Sequence, residues 1–393
     1  MVTLIAVTCG MACAATAKPA PVKKPAGPSI LSKCRADLAK RLKLQEKDIS
    51  LADAQPVTWS DTALGMPEIG KMYAQMLTPG HRFVLKARNV LYLYTTSAKA
   101  CRYGGPVGIW AYSMLYTQPI SNEANLNSDL YQCSLLGTNS IRLLSGIADY
   151  YPQADGIVVA TRRMSRSSFD LLYVQANKPG KEKMLYHAFA FGAAAFDGSH
   201  DRWAAFVRPG VGGGWTVVVG SVSQKESKPR VLRMPEGVQP GEIAWSLDTL
   251  MILAKKGIGS IAYETNPADE SPTWKQTTEH NFPGYYDFIL NKSETLVIDE
   301  IRENGKPGFE VVREWFTGDR NVVARISDFT MRGYDLIGPY AFVWGERGSR
   351  QAAYSVSISS GDTVMGFVGS GRDIKPFAYR PHNSPMPKQS KIE

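Results

Sequence analysis

Turn-plus-strand segments recur at a nearly constant spacing through the C-terminal two-thirds of the chain, and this limits the fold more than any other feature. Ala154-Asp155-Gly156 precedes Ile157-Val158-Val159, and Asp197-Gly198-Ser199-His200-Asp201 precedes Trp203 to Val207. Trp245-Ser246-Leu247-Asp248 precedes Leu250 to Ala254, and Asn291-Lys292-Ser293-Glu294 precedes Leu296 to Ile298. Asp335-Leu336-Ile337-Gly338-Pro339 precedes Tyr340 to Trp344. With Val158, Ala204, Met251, Leu296 and Ala341 as register points, the steps are 46, 47, 45 and 45 residues. A period of about 40–50 residues with several short strands per unit is the signature of radially stacked sheets. One small sheet cannot bury both faces alone, whereas stacking covers them. The expected fold class is mainly β, a five- or six-bladed beta-propeller over residues 106–380 preceded by a small α+β domain. Counting back from Val158 by 46 residues reaches Tyr112, which allows the sixth blade. The alternative is a β-sandwich with coincidental spacing.

Ahead of the repeat, residues 30–105 read as the small α+β module. Ser29 can cap a helix over 30–44 on which Leu31, Cys34, Leu38 and Leu42 share a face. Strands follow from Ile49 to Trp59, from Phe83 to Ala87 and from Val90 to Thr95, with Arg88-Asn89 as a turn. Thr78-Pro79-Gly80-His81 carries the chemistry of a type II turn. Residues 1–17 read as a secretory signal peptide, with Ala15-Thr16-Ala17 as a small-x-small cleavage pattern. Residues 18–29, rich in proline and lysine, read as an extended tether, and 381–393 as a flexible tail. No later uncharged apolar run approaches a membrane span, so the mature chain is expected to lack a transmembrane segment. The expected location is secreted or periplasmic, with a lipid anchor on Cys13 as the alternative. Removing the leader leaves Cys34, Cys101 and Cys133. The two readings are a Cys34–Cys101 disulfide with one thiol left over, or three buried thiols.

Two resemblances add to this. Trp59, Asp61, Leu64, Gly65, Pro67, Gly70, Tyr73, Gln75 and Pro79-Gly80 resemble a small module of exported bacterial proteins with the pattern W-x-D-x-x-L-G-C-P-x-x-G-x-x-Y-x-Q. Here the cysteine of the G-C-P step is Met66, so any thiol chemistry at that step is absent. The resemblance implies export but no established activity. Trp245-Ser246 with Asp248, and more loosely Phe196-Asp197-Gly198, resemble the W-S-P-D-G step of TolB-like (WD40-like) propellers. That resemblance implies a non-catalytic binding scaffold.

The chemistry sought in the sequence is sparse. Apolar residues make up 44% and charged residues 21%, a folded rather than disordered composition. H-E-x-x-H, G-x-S-x-G, S-x-x-K and P-loop patterns do not occur. Gly210 to Gly214 is followed by strand residues, not by a Gly-Lys-Ser/Thr helix start, and reads as a hairpin loop. Asp197, His200 and Asp201 fall short of a calcium loop, and neither metal nor cofactor is expected. Ser-His-Asp sets are possible in any chain this long, and nothing local selects one. Net charge is +9, and the densest basic run is Arg162-Arg163-Met164-Ser165-Arg166. Arginine forks suit carboxylate or phosphate. Arg162, Arg163, Arg166, Tyr285 and Tyr286 are therefore the candidate binding residues, and Tyr150-Tyr151 are candidate surface aromatics. The expected partner is a protein or cell-envelope polymer grasped by propeller loops, and not nucleic acid, since no recognised module for it appears. The alternative is a propeller-based hydrolase or lyase with its site at the channel mouth.

Overall fold

The structure, a computed structural model, describes residues 29–68, 71–120, 127–223, 228–257, 259–278, 289–291, 294–381 and 384–385. Helix α1 (Ile30–Leu42) starts where the Ser29 hydroxyl accepts the Ser32 N–H at 3.2 Å, and it ends at Lys43 in the left-handed region. Strands β1 (Ser50–Trp59), β2 (Thr78–Ala87), β3 (Val90–Ser97) and β4 (Cys101–Pro106) form an antiparallel sheet in that order. The helix lays Cys34, Leu38 and Ala39 on Phe83, Leu85, Tyr92 and Tyr94 of this sheet. Arg88 and Asn89 carry the positive φ values that reverse the chain between β2 and β3.

One local expectation is corrected. Thr78 to His81 is not a turn but the start of β2, paired with β1 on one side and, from Gly80, with β3 on the other. Gly80 serves close approach instead: a Cβ there would lie 1.7 Å from the Thr96 carbonyl oxygen. Proline is tolerated because Pro79 stands at a strand start.

Beyond the module come β5 (Ser113–Pro119), β6 (Ser128–Ser134), β7 (Ile141–Pro152), β8 (Ile157–Ser165), β9 (Ser168–Gln175) and β10 (Lys183–Ala188). The next sheet holds β11 (Ala190–Asp197), β12 (Arg202–Arg208), β13 (Thr216–Ser221) and β14 (Arg230–Arg233). Another holds β15 (Gln239–Ser246), β16 (Thr249–Lys256), β17 (Gly259–Thr265) and β18 (Lys275–Thr277). It is followed by β19 (Ile289–Asn291), β20 (Glu294–Glu303), β21 (Lys306–Trp315) and β22 (Arg320–Ser327). The last four-stranded sheet holds β23 (Thr330–Ile337), β24 (Tyr340–Arg347), β25 (Arg350–Ser357) and β26 (Thr363–Gly369). The final strand, β27 (Arg372–Phe377), returns to pair with β5 and completes a seven-stranded sheet ordered β10-β9-β8-β7-β6-β5-β27.

The five register points fall at equivalent places, in β8, β12, β16, β20 and β24. These are the buried second strands of their units, with Val158, Ala204 and Ala341 fully buried. Four of the preceding turns contain a residue at positive φ: Asp155, Asp201, Leu247 and Gly338. Neighbouring sheets share apolar cores. Val159 and Leu171 pack with Trp203 and Val218, Phe206 and Val217 with Ile243 and Ile252, and Val311 and Phe309 with Val343 and Tyr354. The chain is thus mainly β with a propeller-like succession of sheets. Among the described residues no helix is long and apolar enough to cross a membrane.

Candidate functional site

The site begins with the motif after β1. The Trp59 indole N–H donates to the Thr96 carbonyl at 2.9 Å, and the Asp61 carboxylate accepts the Ala63 N–H at 2.8 Å. Leu64 and Gly65 both take positive φ. This sharp reversal drives Met66 into a core shared with Leu93, Ile109, Trp110, Tyr340 and Val364. The Pro67 carbonyl then accepts the Asn139 N–H at 3.0 Å, and Glu68 forms a β-bridge with Thr138. The motif is therefore a finger that joins the module to the β6–β7 turn and to the last four-stranded sheet. Tyr92 adds a 2.5 Å hydrogen bond to the Asp362 carboxylate, and Arg82 donates to the Pro385 carbonyl at 2.8 Å. Gly70 of the motif lies outside the described residues.

Where these parts meet, a cleft of about 540 Å³ opens. Its walls include Arg41, Glu68, Arg102, Tyr103, Arg350 and Phe367. The β6–β7 turn reaches it because Gly137, at positive φ, lies so close to β26 that a Cβ would stand 2.3 Å from the Phe367 carbonyl oxygen. Arg41 projects from α1 with its guanidinium 4.4 Å from the centre of the Tyr103 ring, and Asp37 holds it at 2.7 Å. Arg102 donates to the Met66 carbonyl at 2.9 Å, lies over Tyr73, and stands 3.6 Å from Glu68. Arg350 stacks on Phe367 at 4.0 Å and, among the described residues, is paired with no carboxylate. Burial pushes the Tyr103 phenol well above its ordinary range, so it stays neutral at any working pH. Three guanidinium groups thus line one cleft, Arg41 beside Asp37, Arg102 beside Glu68, and Arg350 beside no carboxylate among the described residues. An aromatic ring lies against each of the three, which lowers the entropy lost when an anion is gripped.

The sequence-derived candidates lie elsewhere. Arg162 is held by Glu182 at 3.0 Å and by the Ser145 carbonyl, so its guanidinium is already partnered. Arg163 donates to the Ser165 carbonyl at 3.1 Å and lies over Phe169, while Arg166 is exposed between β8 and β9. None of the three lines the cleft. Tyr285 and Tyr286 fall outside the described residues. Tyr150 is not a surface aromatic but a buried one, because β7 turns it into the core with Leu115 and Phe377. Cys34 and Cys101 are brought together by the packing of α1 on the sheet. They are free thiols sharing a side-chain hydrogen bond, which, with burial, raises the Cys34 thiol far above its usual range. Cys133 is free and buried. Among first strands, Asp149 of β7 stands 3.7 Å from Lys375 of β27, whose ammonium also covers the Tyr150 ring at 4.3 Å.

The cleft escaped sequence reasoning because its arginines are far apart in the chain, on α1, β4 and β25. The available signal in the sequence is the motif around Met66, a Leu-Gly-Met-Pro turn whose methionine is buried between the two parts.

A family model described as a domain of unknown function, DUF8738, matches residues 31–103. Among curated proteins, none matches the chain. Similar solved structures include TolB from Acinetobacter baumannii, 12% identical, covering 91% of this chain and 88% of TolB, with a TM-score of 0.49. They also include the β-propeller domain of the trilobed protease from Pyrococcus furiosus, 9% identical, covering 87% of this chain and 99% of that domain, with a TM-score of 0.31.

Proposed function

We propose that this is an exported binding or scaffolding protein of the cell envelope that holds an anionic group of a protein or envelope polymer in the three-arginine cleft. The observation that carries the reading is the convergence of Arg41, Arg102 and Arg350 at the junction of the module and the sheets. The site then lies at this seam and not on the loops at Arg162 to Arg166. In this reading the sheets form six blades. The seven-stranded sheet counts as two of them, because β7 pairs with β6 through Ile141–Ile147 and with β8 through Ile147–Pro152, bending at Gly146. Strand β27 is then the inner strand that closes the ring. The leader over residues 1–17, the tether over 18–29 and a secreted or periplasmic location belong to the same proposal. A protein partner is favoured by the segment beside the cleft, where Met72 is 100% exposed and Leu77 74%.

The test is calorimetric titration of the full chain with poly-glutamate as the anionic probe. Charge-assisted hydrogen bonds contribute about 1.5–3 kcal/mol each, so Arg102→Gln and Arg350→Gln should each weaken binding by roughly tenfold or more. Arg166→Gln should leave it unchanged. Equal affinities for all four proteins would refute the cleft as the binding site.

A further inference from the structure

We propose that Ser168, His187 and Asp170 form an acyl-transfer site on the outer strands β9 and β10, separate from the cleft and independent of its role. The strand register creates the arrangement. Asp170 and His187 are cross-strand partners, and Ser168 lies two residues along β9, on the same face. Asp170 Oδ1 stands 2.7 Å from His187 Nδ1, and His187 Nε2 stands 3.4 Å from Ser168 Oγ. Each ring nitrogen therefore has its own partner. The carboxylate selects the tautomer protonated on Nδ1 and leaves the Nε2 lone pair facing the hydroxyl. The longer contact lies in the looser range that nucleophile–base pairs show without substrate. Exposure divides the roles: the Asp170 side chain is 13% exposed and that of His187 57%, a sheltered orienting group and a reachable base.

The molecule contains its own contrast. In the β11–β12 turn, Ser199, His200 and Asp197 also lie within hydrogen-bonding distance of one another. There, Ser199 Oγ and Asp197 Oδ2 both sit 2.8 Å from the same His200 Nδ1, while Nε2 faces Asp248 at 3.8 Å. One nitrogen cannot be oriented by the carboxylate and receive the serine proton at once, so that cluster braces a turn. Of these two clusters, the set on β9 and β10 has the relay order.

The substrate class is a carboxylic ester, and the open strand face suits an acyl group carried on a large molecule. Ser168 Oγ adds to the ester carbonyl as its proton passes to His187 Nε2. The bond to the alcohol oxygen breaks and that oxygen takes the proton, leaving an acyl-serine. Water then adds to the acyl carbon and gives a proton to Nε2. The serine oxygen leaves as the proton returns to it, releasing the carboxylic acid. Asp170 is a positioning residue throughout.

The experiment treats the full chain with a fluorophosphonate probe and, separately, follows p-nitrophenyl acetate hydrolysis. The expected result is a probe adduct on the peptide containing Ser168. Ser168→Ala and His187→Gln should each lose on the order of 100-fold in hydrolysis rate. Asp170→Asn should lower kcat while leaving KM unchanged, because the imidazole loses the carboxylate that fixes its tautomer. Circular dichroism of each variant separates loss of chemistry from loss of fold. No adduct on Ser168, or hydrolysis by Ser168→Ala equal to that of the unmodified chain, overturns the proposal.

Discussion

The seam between module and sheets can be tested with one pair of side chains. Met66 is 3% exposed in the core that joins the two. Burying such a side chain contributes about 1.5–3 kcal/mol, and truncation leaves a cavity as well, so Met66→Ala should cost about 2–5 kcal/mol. Gly104 lies directly beneath it. A Cβ at Gly104 would stand 2.6 Å from Met66 Cε and 3.0 Å from Leu93 Cδ2. The backbone cannot easily retreat, because the Gly104 carbonyl accepts the Trp110 indole N–H at 2.7 Å. Gly104→Ala alone should therefore overpack the seam and cost about 1–3 kcal/mol. In the double variant the methionine tip that clashes is gone, and the new methyl occupies part of the space it left. The cost of the double variant should fall short of the sum of the two single costs by about 0.5–3 kcal/mol. The assay is urea unfolding of the unmodified chain, the two single variants and the double variant. Additivity to within about 0.3 kcal/mol would refute the packing argument, as would a Met66→Ala cost below about 1 kcal/mol.

Mild oxidation should join Cys34 to Cys101, which already touch, and the linked peptide should appear on mass analysis of the unreduced digest. Closing that loop should stabilise the module by roughly 4 kcal/mol on the chain-entropy model, and recovery of only unlinked peptides would exclude the bridge. Asp197 supplies a pH test. Burial alone would raise its carboxyl, but hydrogen bonds from Ser199, His200 and Arg202 outweigh it and hold the pKa at about 2. A depressed pKa contributes stability above the unfolded value, near 4, that is lost as pH falls through the folded value. The stability gap between the unmodified chain and Asp197→Asn should therefore shrink from about pH 4 to about pH 2, and a constant gap in urea unfolding would refute it.

The repeat was legible because it rests on local chemistry. Each unit sets a turn before a strand, which in four of the five is buried on both faces and in β20 alternates, and the positive φ at Asp155, Asp201 and Leu247 shows why the turns hold their positions. The Thr78–His81 error shows the limit of the same logic. Pro-Gly announces a turn only if nothing pairs with it, and here β1 and β3 do. The arginine cleft was not legible, because Arg41, Arg102 and Arg350 meet only once the last strands are packed beside the first. The Ser168 set was partly legible: Ser-x-Asp on one strand puts both side chains on one face, but the partner strand's register decides whether His187 arrives opposite Asp170.

The placement of the cleft follows from how an array of sheets must end. In the proposed six-bladed ring, the inner joints are covalently continuous, whereas the joint at which the ring would close is held by strand pairing and packing. Here that joint carries β27 on β5, with Ile374, Val368 and Val364 packed beside Met114 and Cys133. The same core contains Met66 and Leu93 of the module, so the module packs on the strands at which the proposed ring would close. Arg41 and Arg102 come from the module and Arg350 from the last four-stranded sheet, while Thr138 comes from the first strands of the array. An anion that spans these groups contacts both sides of the joint and the piece that covers it. In the proposed ring, an opening that carries the last four-stranded sheet away from the module would separate Arg350 from Arg41 and Arg102, and a ligand that requires all three opposes that opening.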